Sequence, residues 1–253
     1  MQTLDLTLIT PTTCSDTLIK CVESVQNQDM ENFIHLVVVD GAEHTMKMKE
    51  TNFQEMCEKR ATCFQILPWP TGKNNFNGHR IYGGFSYLLN TKYIAWLDED
   101  NWIEPNHLSS LYNMLEANNL DWGHSLRKVV SPEGEFVCND DCESLGGWPT
   151  CINTSDHLID VSCFMMRTQL AVSVAPLWYR QARAPNTVPA DRAITEHLLK
   201  TCGNFGYTGQ YTVNYRVGNR SDSVGSDFFI NGNETHGKKY PKDESGSFPW
   251  NKM

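Results

Sequence analysis

The chain has 253 residues, with 30 acidic against 21 basic side chains and a formal net charge of -9. That balance excludes a general nucleic-acid binder, which needs clustered Lys and Arg to displace phosphate counterions. An apolar share of 40% allows one sizeable core, and no apolar run reaches the length of a membrane span.

The opening Met1-Gln2-Thr3-Leu4-Asp5 has no basic stretch before an apolar one, so no signal peptide is expected and the reading is a soluble, cytoplasmic protein. Leu4 to Thr10 is an apolar, β-branched run ending at Pro11 and predicts a buried strand. Ser15 reads as an N-cap, with Leu18, Cys21, Val22 and Val25 following at helical spacing. Phe33 to Val39 predicts a second strand closed by Asp40-Gly41, Met46 to Arg60 a polar helix, and Cys63 to Leu67 a short third strand. Phe76 to Asn90 predicts a helix despite its glycines. Tyr93 to Leu97 predicts a fourth strand, closed by Asp98-Glu99-Asp100, and Pro105 opens a helix through Ala117.

The second half is less regular. Asp121 to Val130 and Glu135 to Cys138 read as strands joined by the turn Ser131-Pro132-Glu133-Gly134. Leu158 to Met166 predicts another strand, Asp191 to Cys202 a helix preceded by Pro185 and Pro189, and Tyr207 to Val217 a last strand. From Gly218 onward the Gly, Asn, Ser and Lys content predicts a flexible tail or lid over 218–253. Alternating strands and helices imply an α/β domain over 1–217, Rossmann-like, with a mostly parallel sheet flanked by helices. Residues 1–120 are expected to form a nucleotide-binding half and 121–217 an acceptor-binding half.

The nine cysteines are scattered, and Cys138, Cys142 and Cys151 lack the paired spacing of a zinc ribbon or finger. The sequons at Asn153, Asn219 and Asn233 read as chance matches without a secretory signal.

In a doubly wound sheet, ligands bind beyond the carboxyl ends of the strands. Thr10-Pro11-Thr12, Asp40 and Asp98-Glu99-Asp100 all fall at such ends. Two carboxylates one residue apart on a strand share a side, and hard oxygen ligands suit Mg²⁺ or Mn²⁺. A solvated turn capping the next helix is the plainer reading of an acidic triplet. Its place after Tyr93-Ile94-Ala95-Trp96-Leu97, with Asp40 at another strand end, favours the metal.

These stretches together resemble the GT-A-fold, family-two type of inverting glycosyltransferase. Leu8-Ile9-Thr10-Pro11-Thr12 is similar to its first strand, Leu18 to Gln28 to its first helix, Leu36 to Gly41 to the strand ending in a base-binding aspartate, and Tyr93 to Asp100 to the strand with the Asp-x-Asp motif. The match is close over the first half and loose over the second. The resemblance implies a nucleotide-sugar donor, UDP-linked by preference, and a divalent ion. Asp40 would contact the base, Asp98 the ribose or donor sugar, and Asp100 the metal, with Arg80 on a phosphate. The family's Arg-Asn pair is only half present, because Ile81 follows Arg80.

Inversion needs a base for the acceptor hydroxyl. The resemblance places it at the start of a late helix, where Pro189-Ala190-Asp191 offers Asp191; the bland reading of Asp191 is an N-cap. Glu196, further along, is a weaker choice. Trp148, Trp178 and Tyr179 are candidates to stack an acceptor sugar, and His236 a candidate late metal ligand. Lys73, Lys238 and Lys239 could reach a diphosphate, though exposed loops explain them as well. The acceptor, whether a glycan, a lipid-linked or a protein hydroxyl, is not encoded in any motif. Two rival readings share the doubly wound pattern or the fold. A sugar nucleotidyltransferase would carry a Gly-rich basic loop after the first strand, which Thr10 to Ser15 is not. A non-catalytic sugar-binding module would be expected to lose the triplet or the base. A dehydrogenase is disfavoured by the lack of Gly-x-Gly-x-x-Gly.

Overall fold

The computed structural model describes residues 4–50, 62–181, 188–218 and 224–252, the side chains of 48–50 excepted. Its centre is a nine-stranded sheet in the order β3-β2-β1-β4-β8-β6-β9-β5, with β7 paired to β6. The first half contributes β1 (Leu6–Thr12), β2 (Phe33–Val39), β3 (Thr62–Ile66) and β4 (Tyr93–Trp96). Their near-continuous apolar runs suit strands covered on both faces, and every residue of β1 and β4 is buried. All three pairings among these four strands are parallel.

Chain order places β2 and β3 on one side of β1 and β4 on the other. The crevice beyond the carboxyl ends of β1 and β4 is therefore a topological switch point. Around it lie β5 (Trp102–Ile103), β6 (Trp122–Val130), β7 (Phe136–Asn139), β8 (Phe164–Arg167) and β9 (Phe205–Arg216). β8 joins β4 antiparallel, and β6 and β9 run parallel to each other.

The flanking helices are α1 (Thr17–Gln26), α2 (Thr45–Glu50), α3 (His79–Ser86), α4 (His107–Ala117), α5 (Thr168–Val174), α6 (Ala190–Thr201) and α7 (Ser226–Lys239). α1 buries Leu18, Cys21, Val22 and Val25, the spacing read from sequence, although its N-cap is Asp16 and not Ser15. The helix expected from Phe76 begins only at His79, because Asn74, Asn75 and Asn77 hold φ of 62°, 62° and 47°. That left-handed backbone cannot lie in a helix. The strand expected from Leu158 begins at Phe164, since a short 3-10 turn, Val161–Cys163, precedes it. Asp160 caps that turn, its Oδ1 accepting from Ser162 N at 2.9 Å.

The expected tail differs most. Residues 226–239 form α7, and Phe229, Gly232 and His236, at i, i+3 and i+7, line its buried face. Trp250 is buried too, its ring stacked on Phe248 at 4.7 Å. Most of the expected helix over 46–60, and Pro185 and Asn219, lie outside the described residues.

Candidate functional site

A cleft of about 790 Å³ opens at the switch point. Pro11, Thr12 and Thr13 line it from β1, Asp40 from β2, the triplet Asp98-Glu99-Asp100 from β4, and Tyr215 and Arg216 from β9. Four segments remote in sequence thus present polar groups to one hollow.

The triplet does not extend β4. Strand pairing ends at Trp96, and Asn101 N donates to Asp98 O at 3.1 Å across a turn. Asp98 and Asp100 face one cleft because of this turn, so the period-two argument made from sequence does not apply. Tyr82 of α3, 1% exposed, donates to Asp98 Oδ1 at 2.5 Å and fixes its rotamer. The Asp98 N–H reaches Ser162 Oγ at 3.4 Å. Glu99 has a different task. Its Oε2 accepts from Thr12 Oγ1 at 2.5 Å and Ser15 N at 3.2 Å, and its Oε1 from Thr13 Oγ1 at 3.0 Å. It clasps the turn after β1, in which Cys14 sits at φ 58°.

Asp40 is buried and already engaged: Thr71 N and Oγ1 donate to Oδ1 at 2.5 and 2.8 Å, and Gly72 N to Oδ2 at 2.8 Å. It anchors the loop that walls the cleft. Arg80 donates to Thr71 O at 3.2 Å, and its guanidinium lies 3.6 Å from the Phe76 ring centroid. Thr10 turns away from the cleft, bonding His35 Nε2 at 2.8 Å inside the core. Its expected place beside the donor is corrected: Thr10 lies one step back along β1 from the cleft-lining Pro11 to Thr13, fully buried and bonded to the core histidine.

Arg216 was not singled out from sequence. Its Nε donates to Asp100 O at 3.2 Å and its backbone N–H to Asn101 Oδ1 at 3.1 Å. A cation therefore stands beside the acidic turn in the same cleft. The only sequence signal was a charged residue in an otherwise polar-aromatic strand, and that does not say which strand it will meet.

Asp191, in the first turn of α6, is part-buried and accepts from Arg192 N at 2.8 Å. Burial pushes its carboxyl above the ordinary carboxylate range. The Arg192 N–H works against this, and nearby Asp160 adds to it. Asp191 does not line the cleft itself but is wired to it. Buried Arg127 donates to Asp140, Asp160 and Glu143 at 2.7, 2.6 and 2.7 Å. Glu143 accepts from Arg192 at 2.8 Å, and Asp160 meets Asp98 through Ser162. Arg127 was missed because a single Arg in a strand gives no sign that three carboxylates converge on it.

The softer candidates separate. Trp178 is 1% exposed and packs on Tyr82 and Trp96 at 5.2 and 5.7 Å, which corrects its expected role as a sugar platform. Tyr179, 67% exposed, keeps an open ring beside Arg80, its centroid 5.1 Å from the guanidinium. Trp148 packs edge-on to Trp250 and Tyr240. His236 is 2% exposed between Tyr240 and Trp250. It lies on α7 and not on a mobile tail, which corrects its expected role as a late metal ligand brought in by a closing segment. Glu196 is exposed and pairs with Lys200 at 2.5 Å. Lys73 lines the cleft, whereas Lys238 pairs with Glu234 at 2.8 Å on the surface of α7.

Among the described residues no group of three or more His, Cys, Asp or Glu side chains is arranged to hold a metal alone. The cleft offers Asp98 and Asp100, a short set of hard oxygen donors. That fits Mg²⁺ or Mn²⁺, ions that draw further ligands from phosphate oxygens and water.

This architecture defines a class, the α/β proteins of the GT-A fold. TarS 1-349 of S. aureus, in complex with UDP-GlcNAc, matches with a TM-score of 0.61 over 88% of this chain and 61% of that one, at 13% identity. The mannosyltransferase PcManGT of Pyrobaculum calidifontis, in complex with GDP-Man and Mn²⁺, matches with a TM-score of 0.57 over 87% of this chain and 59% of that one, at 14% identity. Residues 7–125 match the model of glycosyl transferase family 2, and over that stretch the chain is similar to the family. An uncharacterized glycosyltransferase of Rickettsia bellii (strain RML369-C) is 28% identical over 141 residues, 54% of this chain; the chain matches 19% of that protein's length. Among the described residues no helix is long and apolar enough to cross a membrane.

Proposed function

We propose that the chain transfers a sugar from a nucleotide-diphosphate donor, UDP-linked by preference, to an acceptor hydroxyl with inversion. The observation that carries this reading is the convergence of Pro11 to Thr13, the Asp98–Asp100 turn and Arg216 on one switch-point cleft. Family-two similarity over residues 7–125 supports the same reaction class. Residues 1–120 would supply most of the donor site, completed by Arg216 and Tyr179 from the 121–217 half, which would bind the acceptor.

The nucleoside would lie over the end of β1 beside the loop held by Asp40. Arg216 would face the diphosphate, and Arg80 with Tyr179 would border its sugar. Asp100 and Asp98 would hold a divalent ion, which when bound supplies positive charge opposite the diphosphate. Tyr82 fixes Asp98 for that purpose, and Glu99 ties the acidic turn to the β1 end. Asp191 would take the proton of the attacking hydroxyl as the new glycosidic bond forms and the bond to the diphosphate breaks. A carboxyl that burial raises above the ordinary carboxylate range takes up a proton more readily, as a general base must. The acceptor remains a glycan, lipid-linked or protein hydroxyl.

Calorimetric titration of UDP and of GDP, with and without Mn²⁺, on the wild type and Asp100→Ala tests the donor site. The expected result is binding of one nucleotide that requires metal and is lost in the variant. Metal-independent binding of equal strength in both proteins would overturn the assignment of Asp100.

A further inference from the structure

Cys142 and Cys151 meet at a point that only a glycine leaves open. Cys151 N donates to Cys142 O at 2.6 Å, which brings the two backbones side by side. The two thiols share a hydrogen bond. Both press on Gly232 of α7, where a Cβ would lie 2.7 Å from Cys142 Sγ and 3.1 Å from Cys151 Sγ. Their accessibility differs. Cys142 is fully buried, its Sγ 3.9 Å from Phe229 O. Cys151 is half-buried and precedes Ile152, 60% exposed, which borders an open hollow of about 310 Å³ with Asn153 and His157. The third neighbour in sequence, Cys138, is part-buried on β7 and near Asn233.

We propose that Cys142 and Cys151 form a dithiol site that low-molecular-weight disulfides, such as oxidised glutathione, convert to an intramolecular disulfide. The Cys151 thiolate attacks one sulfur of the reagent, whose S–S bond breaks and releases one glutathione thiolate. Cys142 then loses its proton and attacks the Cys151 sulfur of the mixed disulfide, expelling the second glutathione. Two protein thiols are oxidised, one reagent disulfide is reduced to two thiols, and the protons pass to solvent and leaving groups. Cys151 reacts first because it alone of the pair reaches solvent. Burial pushes both thiols up, so exchange is slow at neutral pH and quickens as pH rises. The bond would staple the segment that carries Glu143, the residue next to Cys142 that grips both Arg127 and Arg192.

The test is incubation of the folded full chain with oxidised glutathione at about pH 8.5, near the ordinary thiol pKa, followed by alkylation and non-reducing peptide mapping. The expected product is a Cys142–Cys151 cross-linked peptide in the wild type. Cys142→Ser should instead keep a stable glutathione adduct on Cys151. A gain of about 5 °C in melting temperature, reversed by reductant, is expected for closing so short a loop in a chain this size. Dominant linkage through Cys138, a glutathione adduct on wild-type Cys151 that never closes, or no reaction at either thiol would each overturn the proposal. The cross-link is read on the wild type, so the result does not depend on a variant folding.

Discussion

The acidic turn after β4 and the carboxylates around Arg127 are chemically alike and are joined through Ser162, yet they sit in opposite settings. Asp98, Glu99 and Asp100 lie in an open cleft, partly exposed, where hydroxyls and backbone groups orient them. Asp140, Glu143 and Asp160 surround an Arg127 that is 2% exposed. Burial alone would disfavour that guanidinium's charge, but the three carboxylates outweigh it and hold the group protonated. Carboxylates facing open solvent can accept a cation brought from outside. Carboxylates sealed around an internal cation have satisfied their charge already and spend it on geometry. On the proposed function the first cluster would take the ligand, whereas the second holds the α6 terminus through Arg192.

The largest effect should come at the candidate base, beside the Arg192 that Glu143 of the second cluster holds. Asp191→Asn should lower kcat by about 10²–10⁴-fold while leaving metal-dependent nucleotide binding intact. Because burial raises the Asp191 carboxyl, activity should fail on acidification at a pH above the ordinary Asp value of about 3.9. A kcat profile that stays flat down to that value would remove Asp191 from the role.

Next comes the contrast itself. Arg127→Met leaves three carboxylates without their cation and should cost about 3–5 kcal/mol in urea unfolding, the range for breaking a buried pair. Asp100→Ala, in the open cleft, should change stability by no more than about 0.5 kcal/mol while abolishing metal-dependent nucleotide binding. Equal stability losses for the two variants would erase the distinction.

Glu99→Ala tests the link between the acidic turn and β1. It strips acceptors from Thr12, Thr13 and Ser15, and donor-nucleotide affinity should fall by about 1–2 kcal/mol, the cost of loosened hydrogen-bonded groups. An affinity unchanged from wild type would make the clasp irrelevant to binding.

The pH dependence of stability is a graded effect, spread over three buried histidines. Burial pushes His35 and His107 down to about 3 and His124 down to about 4, so all three stay neutral in the folded chain. Unfolded histidines take a proton near pH 6.5. The unfolded state therefore binds more protons below that pH, and stability falls as pH drops from about 6.5 toward 4. Each histidine removes up to about 1.4 kcal/mol per pH unit. Urea midpoints at pH 7 and pH 5 check the sign.

The first half of the fold was legible because its strands are short apolar runs closed by polar residues. β2 was read to the residue, and the β1, β3 and β4 positions to within about two residues, within the ordinary error of such boundaries. Pro11, Thr12, Asp40 and the triplet were found at strand ends because the chain itself ends the strands there. The two-residue β5, the short α5 and the helical 226–239 segment were not read. Their apolar positions are few, and the polar residues between them hid the period until packing revealed it.

What the sequence determined by itself was the local alternation of strand and helix, and with it the parallel core and the side of the sheet on which polar residues collect. The tertiary structure decided which strands are neighbours. It therefore decided that Arg216 joins the acidic turn, that Thr10 and Trp178 face the core, that three carboxylates converge on Arg127, and that Cys142 meets Cys151. The physical reason is range: periodicity and turn chemistry act over a few residues, whereas these meetings link segments up to 116 residues apart and form only when the whole sheet closes its order.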